Sequence, residues 1–241
     1  MFAQPLHRVS QVVTYAWQHP SVERAHGTPT YRIAKRLLGR PLRAAYAIDV
    51  VDGHRVPAVG PAIVVANHRS FMDSIFLAHI LNRPVSFLAK AEYFDDPRCA
   101  WFFRAVGQIP VRRGSPGGAK AALGAAFDVL HADGLIGLYP EGTRSRDGLL
   151  HRGNLGAARL ALATGAPIVP VGLIGTAAVQ PPGKRLPRVG NRVEARFGEP
   201  IFPDPSAPAR AQLRDLTRRM MHDIGALCGQ RHADERLLVS V

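Results

Sequence analysis

The chain has 241 residues, 46% of them hydrophobic, enough for one large domain with a small appendage and for a core that needs no metal or disulfide staple. Lys and Arg number 31 against 18 Asp and Glu, a net charge of +13, which favours anionic partners: phosphate substrates, acidic lipid surfaces or nucleic acid. Cys99 and Cys228 lie far apart with no CxxC spacing, which argues against zinc and points to a reducing compartment.

Residues 1–27 are polar and weakly patterned. Gln4, His7, Arg8, Ser10, Gln11 and Gln18 interrupt any signal-peptide core. No stretch approaches the ~20 apolar residues of a membrane span. The expectation is a cytoplasmic protein, free or peripheral to the inner face of the cell membrane. In residues 30–48, Ile33, Leu37, Leu38, Leu42 and Tyr46 recur at helical spacing beside Arg32, Lys35, Arg36, Arg40 and Arg43. Such a basic amphipathic segment suits an anionic membrane surface, and equally a solvated helix packed on its own domain. Pro41 predicts two short helices over one long one. The chain divides on this reading into a membrane-contact segment, 1–46, and a main domain, 47–241.

From residue 47 the pattern is α/β. Residues 48–51 and 62–66 read as strands, the second fully buried. A short apolar helix follows at 74–81, then a strand at 85–89, a helix at 99–106, a short strand at 109–111 and an Ala-rich helix at 119–130. Further strands are expected at 135–139, 168–173 and 192–197, with helices at 155–163 and 209–227. Alternation of this kind predicts a single domain with a mixed, largely parallel sheet flanked by helices on both faces. Pro170 marks its strand as an edge or irregular one. Polar residues just past the strands are where such folds put chemistry.

Two polar clusters sit there. Asn67-His68-Arg69-Ser70-Phe71-Met72-Asp73 follows the strand ending at Ala66. On one continuous helix His68 and Asp73 would point about 140° apart. They meet only if His68 lies in the turn and Asp73 near the helix start. A carboxylate on one imidazole nitrogen would then leave the other as a base. The plainer alternative is that Asp73 caps the helix and His68 is a surface turn residue. Tyr139-Pro140-Glu141-Gly142-Thr143-Arg144-Ser145-Arg146 follows another buried strand. Gly142 permits a tight turn, while the hydroxyls and guanidinium groups could hold a phosphate. A charged surface turn fits these residues too. The Walker spacing is absent. Gly107 to Gly114 adds the Arg112-Arg113 pair at the end of a short strand, and Ile168-Val169-Pro170-Val171-Gly172 is apolar.

Taken together, these blocks resemble the glycerolipid acyltransferase family, typified by bacterial 1-acyl-sn-glycerol-3-phosphate acyltransferases. The N-H-x-S-x-x-D block matches Asn67 to Asp73, G-x-I-x-V-x-R matches Gly107 to Arg113, and I-V-P-V-G matches Ile168 to Gly172. The F-P-E-G-T-R-S block matches residues 139–145 with Tyr139 in place of Phe, and residues 87–94 resemble the A-K-x-E stretch. The resemblance covers residues 48–200. It implies transfer of an acyl group from a thioester, on coenzyme A or acyl carrier protein, to a hydroxyl of a lysophospholipid, most simply 1-acyl-sn-glycerol 3-phosphate. It implies that His68 is the general base and Asp73 its orienting partner, that Glu141, Gly142, Thr143 and Arg144 bind the acceptor, and that Arg113 and Lys90 meet its phosphate. No cofactor or metal is implied, since a thioester reacts without one, and no GxSxG elbow suggests an acyl-enzyme. An anionic membrane surface is the expected partner. Nucleic acid is not, because no motif or aromatic platform for it is present. A different acceptor (glycerol 3-phosphate, a lyso-aminolipid or a glycolipid) and a non-catalytic membrane-binding protein are the competing readings.

Overall fold

The computed structural model describes residues 29–112, 117–184 and 186–234. Its first element is helix α1, Pro29–Ala45. Seven strands follow: β1 Ala47–Val51, β2 Ala62–Ala66, β3 Val85–Lys90, β4 Ile109–Val111, β5 Leu135–Leu138, β6 Ile168–Ile174 and β7 Arg192–Phe197. Between them lie α2 Met72–Ile80, the short α3 Glu92–Asp95, α4 Pro97–Ala105, α5 Gly118–His131, α6 Gly156–Thr164 and the short α7 Thr176–Val179, and α8 Ala209–Cys228 comes last. The strands form one sheet in the order β1-β7-β6-β2-β5-β3-β4. All neighbours are parallel except β6 and β7. The mixed, largely parallel sheet expected from the alternation is therefore present.

Period-two alternation sends successive residues of one strand to opposite faces. Ile63, Val65, Ile136 and Ile168 meet Val129, Leu130, Leu160, Met220 and Ile224 of α5, α6 and α8. Val64, Leu135, Val169 and Val171 meet Leu77 and Leu81 on the other face. The fold is thus three layers, helix on sheet on helix. The end of α8 lies directly on β6. A Cβ at Gly172 would sit 2.5 Å from the Leu227 carbonyl carbon, so only glycine admits this approach. The chain after α8 is carried by that contact to the C-terminal ends of β2 and β6.

Two expectations are corrected. Residues 29–45 form one helix with Pro41 inside it. Pro41 and Leu37, whose carbonyl would have received the missing amide bond, both lie on the exposed side, where losing one bond costs least. The apolar residues of this helix do not share one face either. Leu42 and Tyr46 are buried against Met72 and Phe76, whereas Ile33, Leu37 and Leu38 are 57%, 69% and 47% exposed. Of the two readings of the Pro170 strand, edge or irregular, the second holds: β6 is an interior strand with a local irregularity. Between the bridges Ile168–Ile201 and Val171–Phe197, the β7 side carries three residues against two on β6. This bulge is on the side that the nitrogen of Pro170 faces, so no ladder bond is lost.

Candidate active site

The C-terminal ends of β2 and β5 carry the two polar clusters side by side. His68 lies in the turn after β2, and Asp73 lies in the first turn of α2. Their geometry is the one that lets them meet. His68 Nδ1 is 2.8 Å from Asp73 Oδ2. The same oxygen accepts the backbone N–H of Arg69 and of Ser70, each at 2.8 Å. Asp73 is fully buried, and three donors on one oxygen hold it in a single orientation. Asp73 does not cap the helix, the plainer alternative left open by spacing: the N-cap of α2, Phe71, receives no side-chain bond, and the bonds of Asp73 go to the preceding turn and to the His68 ring. With Nδ1 donating, His68 Nε2 is left as an acceptor. The His68 side chain keeps 16% of its exposure, which leaves a route to solvent.

The ring is clamped from its face as well. Tyr139 stacks on His68 with centroids 3.8 Å apart and planes 11° from parallel. Phe87 stacks on the Tyr139 ring at 5.9 Å. The Tyr139 hydroxyl is 2.8 Å from Ser74 Oγ. Burial, with the Asp73 charge nearby, pushes this phenol well above its ordinary range, so it stays neutral and serves as a hydrogen-bonded prop. The Tyr139 hydroxyl is thus a polar anchor to α2.

The loop after β5 is tied to the same turn. Gly142 adopts φ +74, closing a tight turn in which its N–H donates to the Tyr139 carbonyl at 2.9 Å. Ser145 N–H donates to the His68 carbonyl at 2.8 Å. Glu141 accepts from the backbone N–H of His68 at 3.3 Å and of His151 at 3.0 Å. Its pKa is raised by burial, an effect the two amide bonds partly offset. The carboxylate of Glu141 therefore holds backbone, while Gly142 and Thr143 are exposed and Arg144 is half-buried beside them. Arg144 makes no ion pair among the described residues. Lys90 ends β3, exposed, in register with Val111, at the same end of the sheet. Arg113 lies outside the described residues. No cluster of three or more His, Cys, Asp or Glu suited to a metal is present among the described residues.

Four participants were not singled out by sequence reasoning beyond their place in a motif. Asn67, 1% exposed, exchanges two bonds with the Leu173 backbone, donating to its carbonyl at 2.9 Å and accepting its N–H at 2.7 Å. Asn67 also donates to Gln230 Oε1 at 2.6 Å, and Gln230 donates onward to the Gly148 carbonyl at 2.8 Å. Arg69 lies over Gly148, its Nε buried and without a partner. Asp147 gathers Ser145 Oγ, Leu149 N–H and His151 Nε2 between 3.0 and 3.1 Å. These bonds, led by that from Leu149, lower its pKa to about 2. Only Asn67 had a signal in the sequence, its place one residue before His68. Gln230 could not be found that way, because its partner Asn67 is 163 positions distant.

The chain is similar to relatives of known name. The chain is 31% identical over 152 residues to a chloroplastic 1-acyl-sn-glycerol-3-phosphate acyltransferase of Brassica napus, an alignment covering 63% of this chain and 44% of that one. The chain thus spans less than half the length of that plant relative. It is 26% identical over 201 residues to a 1-acyl-sn-glycerol-3-phosphate acyltransferase of Bacillus subtilis, covering 82% of this chain and 96% of the other. The fold is similar to that of the crystal structure of the 1-acyl-sn-glycerophosphate acyltransferase of Thermotoga maritima, with a TM-score of 0.64, 24% identity, and coverage of 91% and 89% of the two chains. The acyltransferase family model spans residues 47–174, from the first strand through the last residue of β6, and so contains every element that builds the His68 turn and the Glu141 loop; this chain belongs to the acyltransferase family.

Proposed function

We propose that the chain transfers a fatty acyl group from an acyl thioester to the free hydroxyl of 1-acyl-sn-glycerol 3-phosphate, giving phosphatidic acid. The observation that carries this reading is the 2.8 Å His68–Asp73 pair beside a loop whose Arg144 makes no ion pair among the described residues. His68 Nε2 takes the proton of the acceptor hydroxyl as its oxygen attacks the thioester carbonyl. The tetrahedral intermediate collapses, the carbon–sulfur bond breaks, and the imidazolium returns the proton to the departing thiolate. A hydroxyl with a pKa far above 7 needs such a base, which is typically worth ~10²–10⁴-fold. Asp73 fixes the tautomer and favours the transient imidazolium. Arg144, with Arg113 and Lys90, meets the acceptor phosphate, and Glu141 keeps the loop in place. Coenzyme A and acyl carrier protein both present a suitable thioester. No cofactor is needed, because a thioester is already activated.

The acceptor resides in a bilayer. No described helix is long and apolar enough to cross one. We assign contact with the anionic inner surface of the membrane to the segment ending at residue 46. Ile33, Leu37 and Leu38 would enter the interface beside Arg32, Arg36, Arg40 and Arg43. Mass spectrometry of products tests the chemistry: purified protein is incubated with acyl-CoA or acyl carrier protein thioester and a panel of lysophospholipids, glycerol 3-phosphate and glycolipids. Phosphatidic acid formed by the wild type and not by folded His68→Ala is the expected result. Undiminished turnover by that variant would sink the mechanism.

A further inference from the structure

A second concentration of charge lies away from these motifs. A groove of about 660 Å³ runs between α1 and the edge strand β1 and ends at the last turn of α2. Lys35, Arg36, Arg40, Arg43 and His79 line it, and none of its lining residues is a carboxylate. Arg36, Arg40 and Arg43 are three or four residues apart, so one helix face presents all three. The bonds made within the groove go to neutral acceptors. Lys35 Nζ donates to the Leu81 carbonyl, and Arg43 Nε donates to His79 Nε2 at 3.2 Å.

The groove is built around the imidazole. A Cβ at Gly39 would fall 2.8 Å from His79 Cε1, so the bare backbone of α1 makes the space in which the ring sits. Because Nε2 accepts from Arg43, the neutral ring carries its proton on Nδ1, and that atom is buried with no partner among the described residues. Burial first, then Arg43 and Lys35, lower the pKa of His79. Burial and Arg43 do the same to Lys35. Like charges gathered without a counterion cost free energy that an anion in the groove would recover.

We propose that this groove is a second anion site, which takes the phosphate of a phospholipid headgroup at Arg36, Arg40, Arg43 and Lys35. The proposal deepens the reading of α1 as a membrane-contact segment and rests on it. A lipid fits better than free phosphate because Ile33 and Leu37 stand exposed on the same helix, next around its circumference from the arginines. One helix thereby offers a place for the head and an apolar surface for the chains. The site is separate from the catalytic one. None of its lining residues belongs to either motif, and His79 is six residues beyond Asp73, about 9 Å along α2.

His79 reports occupancy. The chain has 10 histidines, and the imidazole signal of His79 is assigned in nuclear magnetic resonance spectra by its loss in His79→Gln. Dihexanoyl phosphatidic acid below its micelle concentration should move that signal and raise its titration midpoint, since an anion favours the protonated ring. In Arg36→Gln/Arg40→Gln the apparent affinity should fall by at least about tenfold. The charge-matched control Arg210→Gln/Arg214→Gln, on the exposed start of α8, should keep it. A silent His79, or equal affinity in Arg36→Gln/Arg40→Gln, overturns the site. An equal response to inorganic phosphate alone overturns the lipid assignment in favour of free phosphate. Co-sedimentation with phosphatidylcholine vesicles, with and without phosphatidic acid, tests the membrane reading separately. Vesicle binding with a silent His79 leaves that reading standing and removes the groove; no vesicle binding by the wild type removes the membrane reading.

Discussion

The two ends of helix α2 treat polar side chains in opposite ways. At its start, Asp73, Asn67 and Glu141 each bond backbone amides or carbonyls, and the His68 ring is held by the Asp73 carboxylate and stacked on Tyr139. At its end, Arg36 and Arg40 of the neighbouring helix line an open groove with no carboxylate in it. On the proposed mechanism, chemistry that moves a proton needs fixed distances, and the first end is the one held by many bonds. A surface that receives charge of variable position keeps its long side chains loose, and each is worth little until the partner comes.

The difference predicts where substitutions hurt and how. The largest effect is on turnover. His68→Ala should lower kcat by about 10²–10⁴-fold while far-ultraviolet circular dichroism stays that of the wild type. A loss shared with unfolding would mean that the turn, not the base, had been removed. Next comes stability at the fixed end. Asn67→Ala leaves the buried N–H and C=O of Leu173 without partners, at roughly 1–3 kcal/mol for each, read from the shift of the urea midpoint. An effect under about 0.5 kcal/mol would show that the Asn67 bridge is idle. A third, smaller effect is pH-dependent. The folded pKa of Asp147, about 2, lies below the unfolded value of ~3.9. Its contribution is therefore complete above about pH 5 and is lost as the pH falls towards 2. Asp147→Asn should flatten the acid limb of the stability profile in that window and change nothing at pH 7 to 8 beyond the loss itself. The smallest effect belongs to the loose end. Arg36→Gln/Arg40→Gln should change the unfolding free energy by no more than about 0.5 kcal/mol, measured by thermal denaturation. A larger loss would mean that these arginines pack the helix and are not held ready for a ligand.

What could be read from the chain follows the same division. The His68–Asp73 contact was available as a conditional statement, because five residues across a turn-to-helix junction permit one arrangement in which the two side chains meet. The sheet was legible because buried parallel strands are continuous apolar runs, as in Ala62–Ala66. The use made of Glu141 was not. Its side chain bonds the amides of His68 and His151, 73 and 10 positions away, and proximity of that kind is set by the crossovers. Periodicity also could not say which part of α1 is buried. Ile33, Leu37, Leu38, Leu42 and Tyr46 share a helical spacing, yet only Leu42 and Tyr46 meet Phe76 and Met72. Pro41 misled for a related reason, since a proline's cost in a helix depends on whether the orphaned carbonyl faces protein or solvent.

The Gln230 bridge has a consequence for the order in which the site assembles. The residues of both motifs are made early, and by residue 174 the segment spanned by the family is complete. Yet the amide that joins Asn67 to the Gly148 carbonyl arrives only with Gln230, delivered by the seat of Leu227 on Gly172. Leu150 then donates its N–H to the Arg231 carbonyl and accepts that of Ala233. A growing chain emerging from the ribosome thus carries both polar motifs complete, Arg146 being the last of them, for about 84 residues before Gln230 can close the brace behind them.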